Sequence, residues 1–196
     1  MDKLFENIAE HFCKVIITSD SYLRNSRCSD PKLLYPPLLK TAIQVCAQVP
    51  NLHIFETYRS NVRQGDLFRQ GFSKCRQFGM HYYGIAVDLV FKDGGGWTWD
   101  GDYKTVRKLY KENGLVVLGS WDLAHAQVPE VSQQASLRLC VKQKIQHYQR
   151  ICEITADGDA GPKTQTAFRK LFNIQQAKAI DGKDKKSVIP AKAGIR

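Results

Sequence analysis

Five side chains in this 196-residue sequence have the types and spacing for hydrolysis at a metal ion: His81, Asp88, His125, Asp122 and Arg59. A catalytic zinc takes about three nitrogen or oxygen ligands and keeps one position for water. It lowers the pKa of that water and polarises a carbonyl. His81, Asp88 and His125 would supply two imidazoles and one carboxylate. Asp122 lies three residues before His125, so in a turn the two can face one site. A free carboxylate there can take a proton from the attacking water. Arg59 keeps its charge and can hold an oxyanion or a substrate carboxylate. Spacing alone leaves plainer uses open. Asp88 could be a solvated carboxylate on an edge strand, Arg59 a surface salt bridge, and Asp122 a helix or turn cap.

Elements must carry these groups. Residues 52–58 are β-formers and read as a strand ending at Arg59. Ser60 can cap a helix that runs to Gly71. Residues 85–91 read as a second strand, with Ile85, Val87 and Leu89 on one face and Ala86 and Asp88 on the other. His81 has the opposite parity to Asp88, so both can meet one metal only if the chain bends, and Gly84 permits the bend. Asp93 to Gly96 is a turn, residues 103–113 a helix stopped by Gly114, and residues 115–118 a short strand. Before these come an amphipathic helix over residues 4–17, a polar loop over 18–36, and a helix opened by Pro36-Pro37 and stopped by Pro50. Mixed short strands and helices in this order predict an α+β domain ending near Val128.

The motif run is Tyr58-Arg59-Ser60, Arg63-Gln64, Leu67-Phe68, Gly71, His81-Tyr82-Tyr83-Gly84-Ile85-Ala86-Val87-Asp88 and Trp121-Asp122-Leu123-Ala124-His125-Ala126-Gln127. It resembles the zinc peptidases of the D-alanyl-D-alanine carboxypeptidase and L-alanyl-D-glutamate endopeptidase family, which includes several phage endolysins. The match covers about residues 33–128 of the expected 1–128 domain. The resemblance implies a small antiparallel sheet packed with helices. It implies zinc on His81, Asp88 and His125, with Asp122 as general base. Arg59 would stabilise the transition state, and Arg59 and Ser60 would bind substrate. The pattern departs from the family at Gly79, Ala124 and Ala126.

Pro129 to Ser132 reads as a linker. Residues 133–175 read as a small helical module, with a tight loop at Asp157-Gly158-Asp159-Ala160-Gly161-Pro162 and Pro162 opening the last helix. Asp157, Gly158, Gly161 and Thr164 resemble the loop of a three-helix peptidoglycan-binding domain, and so imply wall binding. Read without that resemblance, the loop could be a calcium-like Asp157/Asp159 turn or a plain hairpin. Residues 176–196 are basic and read as a disordered tail.

Composition bounds the rest. There are 29 Lys and Arg against 19 Asp and Glu, a net +10 with no dense basic block, so no nucleic-acid groove is expected. A diffuse positive field suits any polyanion, whether nucleic acid, an anionic membrane surface or a bacterial cell wall. The six cysteines form no CxxC pair and read as reduced thiols. No run is long enough for a membrane span and no secretory signal is evident. The sequence therefore predicts a monomeric peptidoglycan hydrolase with zinc as cofactor, held in the cytoplasm until released to the wall. The rival expectation is a non-catalytic wall-binding protein on the same fold.

Overall fold

The computed structural model describes residues 3–128 and 134–184. Among these residues there are six α-helices and one antiparallel sheet: α1 Lys3–His11, α2 Pro36–Gln48, α3 Asn61–Arg69, α4 Tyr103–Glu112, α5 Gln134–Ile151 and α6 Pro162–Asp184. The strands are β1 Leu52–Glu56, β2 Ala86–Asp93, β3 Gly96–Thr98, β4 Val116–Val117 and β5 His125–Gln127. They run in the order β1-β2-β5-β4, with β3 as a hairpin on the far end of β2. This is the α+β class the sequence predicts.

Central strand β2 is buried on both faces, because helices and tyrosines cover the sheet from two sides. Val87, Leu89, Val90 and Phe91 join α2 and α4 in one core, through Leu38, Val45, Val106 and Tyr110. Ile85 and Ala86 join a second core built on Phe12, Ile16, Tyr58 and Tyr83. Proline starts α2 and Ser60 caps α3 by accepting the Arg63 N–H, both as expected.

Several features differ from the sequence reading. The first helix does not stay α-helical to residue 17. Its last turn, Phe12–Ile16, widens to a π-helix that ends on the bond from the Ile17 N–H to the Phe12 carbonyl. Strand β3 was not foreseen. His125 sits on a strand rather than in a turn, and only Asp122 precedes it in the turn.

The three-helix group also has an unexpected composition. Residues 134–184 contribute two helices, and α1 is the third. Phe5, Ile8, Phe12 and Ile16 share a core with Leu137, Val141, Ile145, Tyr148, Phe168 and Phe172. Helix α6 also runs to Asp184, so residues 176–184 are helical where a disordered tail was expected. Gln and Ala are strong helix formers and carry the helix on. The linker at residues 129–132 and the tail from residue 185 lie outside the described residues.

Candidate metal centre

Three neighbouring strands set the site. Across the sheet, Glu56 on β1 lies opposite Asp88 on β2, and Asp88 lies opposite His125 on β5. The pairing of β1 slips between Ile54 and Glu56, and the extra residue, Phe55, brings Glu56 into line with Asp88. His81 arrives from a 3-10 turn, Met80–Tyr83, closed by Gly84 in the left-handed region at φ +69°. A side chain at Gly84 would also meet the Leu33 carbonyl oxygen at 2.3 Å. The bend expected at Gly84 is therefore present, and only glycine fits it.

The result is a triangle of donor atoms. His81 Nε2 is 3.2 Å from Asp88 Oδ1 and 3.3 Å from His125 Nδ1. His125 Nδ1 is 3.2 Å from the same Asp88 oxygen. A tetrahedral ion with bonds of about 2.0–2.1 Å sets its donors roughly 3.3–3.4 Å apart. All three residues are buried, yet they line a cleft of about 590 Å³ that leaves one side of the triangle accessible. Among the described residues, this is the His/Cys/Asp/Glu group that could hold a metal ion.

The far side of each ligand fixes its chemistry. His81 Nδ1 lies 3.2 Å from the Thr57 carbonyl, so it carries the proton and Nε2 keeps its lone pair. His125 Nε2 lies 3.0 Å from Gln127 Oε1, which leaves Nδ1 as the donor atom. Arg59 takes the other oxygen of Asp88 at 3.1 Å and leaves Oδ1 for the triangle. Burial opposes the charge on Asp88, but the two histidines outweigh it and hold its carboxyl well below the usual range. Burial likewise opposes the His125 cation, and Asp88 nevertheless raises its pKa.

Asp122 stands beside the triangle, with Oδ2 4.0 Å from His125 Nδ1. Burial, then the charge of Asp88, lifts its carboxyl above the ordinary value. That is the direction a general base needs. Arg107 on α4 holds its loop by donating to the carbonyls of Leu118 at 2.5 Å and of Gly119 and Asp122 at 3.4 Å. Arg59 lines the cleft but is also held by Glu56, at 3.0 Å from Nε, and by Gln64, at 3.3 Å from its Nη1.

The remaining expected site residues fall elsewhere. Ser60 does not line the cleft. It is buried, and its hydroxyl donates to the Arg24 carbonyl and accepts from the Arg63 N–H. The first bond ties the Arg24 segment and the second caps α3. Asp157, Gly158 and Gly161 lie in the loop between α5 and α6 and Thr164 in the first turn of α6, all remote in sequence from the triangle. Gln149 fills that loop: Oε1 accepts the Gly158 N–H at 2.9 Å, and Nε2 reaches Asp157 Oδ1, the Asp159 carbonyl and Thr164 Oγ1 within 3.0 Å. A neutral amide thus occupies the place a calcium ion would need. Ala124 and Ala126 are buried core residues, whereas Gly79 lines the cleft.

Sequence reasoning gave no role to Gln127, Glu56, Gln64, Arg107 or Gln149, although Gln64 and Gln127 stand in the motif run. Glu56 and Gln64 flank Arg59 in the sequence, and Gln127 sits two residues from His125. Alternation along a strand could have pointed to Gln127.

No protein-family model and no curated protein matches the chain. Among solved structures it is similar to the L-Ala D-Glu endopeptidase ChiX of Serratia marcescens. The two are 23% identical, with a TM-score of 0.43, over 59% of this chain and 99% of that one. A likeness this distant bears on neither activity nor substrate, and the donor triangle carries the functional reading by itself.

Proposed function

We propose that this protein is a zinc-dependent peptidase that cleaves a peptide bond in the stem peptide of peptidoglycan. The observation that carries the reading is the triangle of His81, Asp88 and His125, open to the cleft beside Asp122. Two imidazoles and one carboxylate are a donor set suited to zinc, and an open side is what separates a catalytic site from a structural one. When bound, zinc would polarise a peptide carbonyl and make water a nucleophile at neutral pH.

The chain's own groups do the rest. Asp122 takes the proton of the attacking water and returns it to the leaving amine. Arg59 keeps Asp88 oriented and faces the cleft, where its charge stabilises the oxyanion. The Thr57 carbonyl and Gln127 hold the ligand imidazoles in the tautomers the metal needs. The net charge of +10 favours residence on an anionic wall. The loop around Gly158, with α5 and α6, would serve as the wall-binding part.

The assignment is tested by metal content and turnover together. His81→Ala and His125→Ala should lose bound zinc and peptide cleavage in parallel, while Asp122→Asn should keep zinc and lose at least about a hundredfold in turnover. Equal zinc in wild type and His81→Ala would remove the ligand assignment.

A further inference from the structure

We propose that Arg63 and Lys74 form an anion subsite of this cleft, which takes a free carboxylate carried by the substrate peptide away from the bond that is cut. The proposal rests on the peptidase reading and names the class of peptide that the same site prefers, an acidic one.

Among the described residues Lys74 has no carboxylate partner, and Arg63 is paired through one nitrogen only. Glu56 is a single buried carboxylate between two guanidiniums. Its Oε2 takes Arg59 and its Oε1 takes Arg63 Nε at 2.6 Å. Arg63 is thereby held at its inner nitrogen, and its two terminal amino groups have no partner among the described residues. Lys74 pairs with no carboxylate among the described residues. Its ammonium lies 3.9 Å from the centre of the Trp121 ring, an interaction that neutralises nothing. Both residues line the cleft.

One side chain ties the two together. Gln64 follows Arg63 on α3 and is buried. Its Nε2 donates to Ser73 Oγ at 2.6 Å and to the Cys75 carbonyl at 2.5 Å, so both neighbours of Lys74 are fastened to α3. Its Oε1 accepts from Arg59. Gln64, next to Arg63 in the chain, thus holds the residues on either side of Lys74 and also meets Arg59. Trp121, under the Lys74 ammonium, is the residue before Asp122. A fixed guanidinium fork and an ammonium at one cleft are the arrangement that carboxylates seek. A substrate carboxylate can take the Lys74 ammonium and the terminal amino groups of Arg63, which no side chain among the described residues holds.

The experiment compares two stem peptides, identical but for free carboxylates in one and carboxamides in the other. Cleavage is followed with the zinc-loaded full chain, and equilibrium binding with the Asp122→Asn protein, which leaves the peptides intact. Lys74 is the residue to change, since Arg63 touches Glu56 and through it Arg59. Wild type should favour the carboxylate peptide by about tenfold or more in KM and in Kd. Lys74→Met should reduce that preference to within about twofold, and Lys74→Arg should restore it. No preference in wild type, or an undiminished preference in Lys74→Met, would overturn the subsite. Cleavage of both peptides without discrimination would do so while leaving the peptidase reading intact. A Lys74-dependent binding preference with no cleavage of either peptide would keep the subsite and defeat the peptidase reading.

Discussion

At the scale of single residues, the site depends as much on the groups behind the ligands as on the ligands. His125 can present Nδ1 because Gln127 Oε1 occupies Nε2 at 3.0 Å. Gln127→Ala should therefore weaken zinc binding by about 10–100-fold without unfolding the protein. Competition with a chromophoric chelator measures this, and an unchanged affinity would mean that the tautomer is set elsewhere. His81, Asp88 and His125, which the structure brings together beside Asp122, were picked out by the motif run, since spacing alone leaves plainer uses open. The contacts of Gln127 and Gln64 were not legible, because a glutamine becomes part of a site only through the direction its amide takes. Ser60 lies outside the cleft residues: its buried hydroxyl caps α3 and donates to the Arg24 carbonyl.

At the scale of elements, the site is a product of strand register and loop anchoring. Phe55 is the extra residue that aligns Glu56, Asp88 and His125 across three strands. Nothing in the run Leu52 to Thr57 announces a bulge, since its residues are ordinary strand formers. The helices were easier to read, because Pro36-Pro37, Ser60 and Gly114 punctuate them by fixed backbone preferences. The loop bearing Asp122 hangs from Arg107 on α4 through three carbonyls. Arg107→Ala should free that loop, and a displacement of about 1 Å in a catalytic group can cost up to a hundredfold. The expected result is a kcat lowered by about 10–100-fold with zinc content unchanged. Zinc lost in step with activity would show that Arg107 supports the triangle rather than the base.

At the scale of the whole molecule, α1 and the last two helices hold each other. Local sequence could not show this, because the apolar faces of α1 and α5 are each legible but their pairing is not. Phe12 is fully buried against the rings of Tyr22, Tyr82 and Tyr83, in the core shared with α5 and α6. Phe12→Ala should cost about 3–5 kcal/mol in urea unfolding. Removal of residues 134–196 should expose α1 to limited proteolysis, and a truncated protein as resistant as the full chain would contradict the shared core. Glu10 adds a pH dependence to this contact. Burial opposes its charge, but hydrogen bonds from Lys14 and Tyr148 leave its pKa below the ordinary 4.5. A lowered carboxylate contributes stability above that value and loses it as the pH falls through the folded-state pKa. Glu10→Gln should therefore lose less stability than wild type between pH 7 and pH 4, and equal losses would exclude Glu10 as a source. The central claim is that a metal ion on His81, Asp88 and His125 lets this chain cut the wall peptide. The most direct test is mass spectrometry of purified peptidoglycan digested with the zinc-loaded protein and with the same protein after chelation. New amino and carboxyl termini at one peptide bond, present with zinc and absent after chelation, are the predicted result. Unchanged peptides under both conditions, with the protein bound to the wall, would contradict it and leave a binding protein on a peptidase-like site.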